Sequence, residues 1–202
     1  MKIAYLIFLS LITINVSGQN KNKNSNKLNV NELSLNNFEN KYFIDTTICE
    51  NHAVKSRKIK FNNLNFSVSL SDSITRYEID NFSGIEVMFD KNIDYGLSIL
   101  ESKNIEPNDN YMIKSFKYNI LNDILKQELV DFGSCSLKNL GKIYWAKLKK
   151  KFDTIQFYVL EMMFKHKSSE KLFLISISST KKKYFDEVLC KSYPIIKSIE
   201  VN

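Results

Sequence analysis

The chain has 202 residues, 44% of them hydrophobic and 25% charged, with a formal net charge of +7. That balance is ordinary for a globular protein and excludes a disordered polyelectrolyte, and the length suits one domain with a real core. The mild basicity is compatible with a polyanion or an anionic membrane surface, and equally with a Lys- and Asn-rich codon bias.

Met1 and Lys2 form a short positive start, Ile3 to Val16 an apolar run, and Ser17, Gly18 and Gln19 a small, polar close. A secretory signal carries about 7–15 apolar residues, whereas a spanning helix needs about 20. Residues 1–19 therefore read as a cleavable signal peptide, with an uncleaved anchor or a buried helix as the alternative. Cys49, the first cysteine, stands too far from the cut to carry a lipid. No later run is long enough to span a bilayer, so the mature chain is expected to be soluble, and the signal places it outside the cytoplasm, periplasmic or secreted. Residues 20–37, beginning Asn-Lys-Asn-Lys-Asn-Ser-Asn-Lys, are too polar to offset their ordering entropy and read as a disordered tether. Residues 38–202 are left as a single domain.

Lys41 to Ile48 reads as a first strand. Ile59 and Phe61, then Phe66, Val68 and Leu70, alternate with polar residues around Asn62-Asn63, the period-two pattern of a half-buried hairpin. Thr75 to Ile79 and Ile85 to Phe89 flank the turn Asn81-Phe82-Ser83-Gly84, and Tyr95, Leu97 and Ile99 extend an antiparallel meander. After Pro107, the period changes. Ile113, Phe116, Ile120 and Ile124, with the neighbouring Leu121, Leu125 and Leu129, recur at three- and four-residue spacing, predicting a mid-chain amphipathic helix over 109–130 that ends near Gly133.

Strands resume over 132–137 and 142–148. Ile155 to Phe164 is nearly continuous in apolar residues and should lie centrally in a sheet. Lys167-Ser168-Ser169-Glu170 turns into a strand from Leu172. Ser179 or Thr180 then caps a closing helix with Tyr184, Phe185, Val188 and Leu189 on its apolar face. Pro194 is expected outside that helix, starting a last turn from Ile195 to Ile199. Runs of strands with separated helices argue for an α+β fold. Its expected form is a central antiparallel sheet of about six to seven strands, with the mid-chain and C-terminal helices packed on it.

Three cysteines in an exported chain allow one disulfide with three possible pairings, or two or three buried free thiols. Cys49 with Cys190 is the preferred pair, because it would tie the N-terminal extension to the domain.

Phe66-Ser67-Val68-Ser69-Leu70 before a turn, the 109–130 helix, the 167–170 turn and the tail Ile195-Ile196-Lys197-Ser198-Ile199 together resemble the PsbP-like family over about residues 58–202. The turn Ser71-Asp72-Ser73-Ile74 lacks the proline and tryptophan that members often carry. The resemblance implies a non-enzymatic accessory or binding module, with no shared catalytic residues to carry over.

Chemistry finds little support. His52 and His166, the only histidines, read as surface or turn residues, and Cys49-Glu50-Asn51-His52 falls short of the ligand set that a zinc site needs. Neither a metal nor a cofactor is expected. The sequence contains no phosphate-binding glycine loop, no Gly-x-Ser-x-Gly and no His-Glu-x-x-His. Glu161 stands within the apolar strand. The favoured reading places it outward beside Lys142 or Lys147, and the alternative buries it with a partner.

Lys147, Lys149, Lys150 and Lys151 close one strand, and Lys181, Lys182 and Lys183 open the last helix. They read either as solvated turns or as an anion-binding patch beside Tyr144, Trp145 and Tyr184. The near absence of arginine argues against specific nucleic-acid binding. The sequence thus points to an exported, monomeric, non-enzymatic module that binds a protein or envelope component. A polyanion- or membrane-surface-binding protein acting through the lysines is the alternative, and a hydrolase with an unrecognised site is the third.

Overall fold

The computed structural model describes residues 38–49, 56–61, 66–71, 75–78, 85–90, 95–102, 126–165, 172–182 and 185–201. The expected signal and tether, His52, His166 and residues 109–125 of the expected helix lie outside them. Described residues 56–61 and 66–71 form the hairpin β1 (Ser56–Phe61) and β2 (Phe66–Ser71), running in register from Ser56 opposite Ser71 to Phe61 opposite Phe66. The free edge of β2 is taken by β10 (Glu200–Val201), so these three strands make a small sheet of their own. The expected continuous meander is therefore divided. With both edges of β2 occupied, the next strand starts a second sheet.

That second sheet holds β3 (Thr75–Glu78), β4 (Ile85–Asp90), β5 (Tyr95–Ser102), β6 (Lys126–Leu137), β7 (Gly141–Phe152), β8 (Ile155–Lys165) and β9 (Leu172–Ser179). Its order is β3-β4-β5-β9-β8-β7-β6, antiparallel throughout. One helix, α1 (Phe185–Lys197), follows, so the described fold is α+β with antiparallel sheets. None of the described helices is long and apolar enough to cross a membrane.

Alternation along the strands builds two apolar layers. On one face Ile143 and Trp145 of β7, Leu160, Met162 and Phe164 of β8, and Phe173, Ile175 and Ile177 of β9 meet Val188, Leu189, Ile195 and Ile196 of α1. Val68, Leu70 and Ile199 join them from the small sheet. The opposite face carries Leu129, Tyr144, Ala146, Leu148, Phe157, Val159 and Met163 with Phe38. Burial on both faces explains the nearly unbroken apolar run of β8.

The expected helix does not reach residue 130, because Lys126–Val130 belong to β6. A register shift between Leu129 and Asp131 puts Leu129 and Phe132 in the same layer, three positions apart. The bulge breaks the period-two alternation by which a strand is read from sequence.

Lys41 to Ile48 is also no strand. Residues 38–45 wrap the outer edge of β6, and Thr46–Cys49 form a 3-10 turn. Phe38 lies in the layer of Tyr144, while Phe43 and Ile44 lie in the layer of α1. Between them, Ser134 N–H donates to Glu39 O and Lys41 N–H to Ser134 O, both at 2.8 Å. Trp145 Nε1 donates to Lys41 O at 2.9 Å.

Pro194 sits inside α1, contrary to expectation. It faces outward, and its missing N–H leaves the Cys190 carbonyl without its usual helical donor. The helix ends at Ser198, whose N–H bonds to Pro194 O and Ile195 O and whose Oγ accepts from Ser69 N–H at 2.7 Å.

Candidate functional site at the lysine-rich end of the sheet

The turn Asp153-Thr154 joins β7 to β8, with Phe152 opposite Ile155 and Asp153 in the left-handed region (φ 53°) that aspartate tolerates. Parity from that turn decides where each lysine of β7 goes. Lys147, Lys149 and Lys151 share the face of Trp145 and α1, whereas Lys150 shares the face of Leu148 and Ala146.

Lys150 is consequently buried, and its Nζ pairs with Glu161 Oε1 beneath the apolar layer. Glu161, opposite Ala146 and Ser176, is fully buried. Both expectations are corrected. Glu161 does not face outward beside Lys142 or Lys147, and Lys150 cannot serve an exposed patch. Isolated burial of either charge would be costly, and their common face lets each neutralise the other. Glu161 Oε2 has no hydrogen-bond partner among the described residues, so there the carboxylate is only half satisfied.

The other lysines gather at one end of the sheet. Lys149 is opposite Tyr158 in β8, and Tyr158 is opposite Ser179, the last residue of β9. The chain leaves that row through Thr180 to Lys181 and Lys182, both exposed. Topology therefore brings together two clusters that stand thirty residues apart in sequence. Lys151 is exposed and Lys147 half-buried. Lys149 Nζ meets Glu128 Oε1 at 3.2 Å, while Lys147, Lys151, Lys181 and Lys182 have no ion pair among the described residues. Lys183 lies outside the described residues. Tyr144 and Trp145, expected to accompany this patch, are buried in opposite layers.

The structure also joins Cys49 to Cys190, with Sγ–Sγ 2.19 Å and Cα–Cα 5.0 Å. The bond fastens the wrapped segment to α1. Lys41 holds the same segment at the sheet edge through Asp131 at 2.5 Å. Sequence reasoning missed this wrap. Its only signal was the apolar pair Phe43-Ile44 between polar neighbours, which also fits a short strand. Cys135 is a free, buried thiol, and desolvation pushes its pKa up to about 11. No group of three or more His, Cys, Asp or Glu able to hold a metal ion occurs among the described residues.

No protein-family model matches the sequence, and no curated protein matches it. Solved structures do. The cyanobacterial PsbP (CyanoP) of Synechocystis sp. PCC 6803 superposes with a TM-score of 0.54 at 13% identity, covering 75% of this chain and 95% of its own. The Ran-binding protein Mog1p of Saccharomyces cerevisiae gives 0.53 at 8% identity, covering 74% and 96%. At such identities the likeness speaks to architecture alone, and the resemblance read from the order of elements holds at that level: this chain has the PsbP-like fold.

Proposed function

We propose that the chain is an exported binding module of the cell envelope, monomeric and without chemistry of its own, that engages a protein or another envelope component. The observation that carries this reading is the Cys49–Cys190 bond, which suits an oxidising compartment and agrees with a secretory signal over residues 1–19. Four of the described carboxylates give it further support, because they are occupied in holding the fold. Glu161 pairs with Lys150, Asp131 with Lys41, Glu128 with Lys149 and Glu200 with Lys58. A binding role also accords with the fold, since Mog1p is a Ran-binding protein.

The test is capture. The processed protein is immobilised and exposed to detergent-solubilised envelope extract, and eluted material is identified by mass spectrometry. One stoichiometric partner that stays bound as salt is raised is the expected result. Retention of nothing, or a hydrolase activity in the purified protein lost on replacing His52 or His166, would overturn it.

A further inference from the structure

We propose that the lysine-rich end of the sheet is a docking surface for an anionic lipid bilayer, distinct from any protein-binding face. Lys147, Lys149 and Lys151 leave one face of β7 at two-residue intervals, about 7 Å apart along the strand. The row from Lys149 through Tyr158 to Ser179 crosses two strand spacings, about 10 Å, before Lys181 and Lys182 follow. Four of these five ammonium groups have no ion pair among the described residues. Among the nearby acids, Glu128 is taken by Lys149, Asp131, opposite Lys147, is taken by Lys41, and Glu187 is taken by Lys191. Asp153 and Asp186 stand exposed and offset part of the charge, so this end remains net positive.

The make-up of the surface selects the partner. Every cation there is lysine, a hydrated point charge that accepts a phosphate headgroup from many directions, whereas bidentate reading of a nucleic-acid backbone favours arginine. A single-stranded polyanion also needs aromatic faces for its bases. The ring at the centre of this row, Tyr158, is half-buried and packed 6.1 Å from Phe185. Tyr42 and Val130 are the exposed large apolar side chains among the described residues, and Val130, next to the position of β6 that lies opposite Lys147, is the one near this end. One valine makes no insertion loop, so attachment is electrostatic and peripheral. Each lysine near an anionic bilayer is worth roughly a fivefold gain in partitioning, which makes four worth on the order of several hundredfold at low salt.

The processed protein is sedimented with vesicles of phosphatidylcholine containing phosphatidylglycerol, and with phosphatidylcholine alone. The expected result is binding to the former only, lost as salt is raised past the point where the screening length falls below about 8 Å. The variant K147Q/K151Q/K181Q/K182Q should bind at least about a hundredfold more weakly. Should that variant melt early, K181Q/K182Q, confined to two exposed residues after β9, carries the test with a loss of about twentyfold. Equal binding to both vesicle types, or an unchanged variant, overturns the proposal. Retention on polyphosphate without vesicle binding also overturns it, in favour of a soluble polyanion. None of these outcomes depends on the capture of a protein partner.

Discussion

Gly133 stands where residues 39–41 cross the edge of β6, and its missing side chain makes the crossing possible. A Cβ there would lie 2.8 Å from Lys41 Cγ, 2.9 Å from Trp145 Cζ2 and 3.1 Å from Glu39 O. The lysine can yield, but the indole is fully buried and the carbonyl belongs to the bridge with Ser134. Gly133→Ala should therefore cost about 1–3 kcal/mol in denaturant unfolding, and an unchanged midpoint would show that the wrap is looser than described. The buried ion pair makes a sharper test. Removing one partner strands the other, so Lys150→Met should destabilise by about 3–5 kcal/mol. Adding Glu161→Leu should recover most of that loss, because an apolar pair suits the layer around Leu148 and Val159. Additive losses would contradict the pairing. Cys135 gives a pH signature. Its thiol is raised from 9.0 to about 11 by burial, so the folded state favours the protonated form. That contribution is fully present below pH 9 and is lost as pH rises toward 11. Alkylation at pH 8–9 should accordingly be slow in the native protein and fast after unfolding. Glu161 was legible in principle. The turn at Asp153-Thr154 fixes the parity of β7 against β8 and places Lys150 on the same face, but sequence patterning alone does not supply that register.

Among the elements, the strands from β7 to β9 were readable because each alternates or is apolar throughout, and burial on both faces of β8 follows from its composition. The start of β6 was not readable, since Leu129 continues the four-residue spacing from Leu125 and the bulge after it breaks the alternation by which a strand is read. Pro194 misled for another reason. Packing of Ile195 and Ile196 on the sheet and the bonds of Ser198 carry α1 past a residue that local propensity would exclude. The Cys49–Cys190 bond, across 141 residues, acts on the wrapped segment as a whole. On a chain-entropy account such a loop contributes up to about 5 kcal/mol. Reduction, or the double substitution Cys49→Ser/Cys190→Ser, should then lower the melting temperature by roughly 10 °C or more. Phe43 and Ile44 remain buried without the bond, so the reduced protein should still fold. A melting temperature indifferent to reductant would mean that the bond adds nothing to the packing of this segment.

At the scale of the molecule, the order of elements was enough to indicate the PsbP-like fold, because topology is written in the succession of alternating runs and survives errors at single boundaries. The division into two sheets was not legible, since it depends on β10, two residues at the far end of the chain, claiming the edge of β2. The site was legible only as composition. Clusters of lysine were visible, but the chain order hid that β8 stands between them and that Lys150 turns inward. On the function proposed above, this fold works outside the cytoplasm, with its N-terminal segment cut and its wrap covalently fastened. The measurement that tests it most directly is the intact mass and thiol count of the full-length chain after expression and cell fractionation. The expected result is an extracytoplasmic protein that has lost about residues 1–19 and carries the Cys49–Cys190 bond, with one thiol, Cys135, reacting with thiol reagents only after unfolding. An uncleaved chain in the cytoplasm with all three cysteines reduced would contradict it.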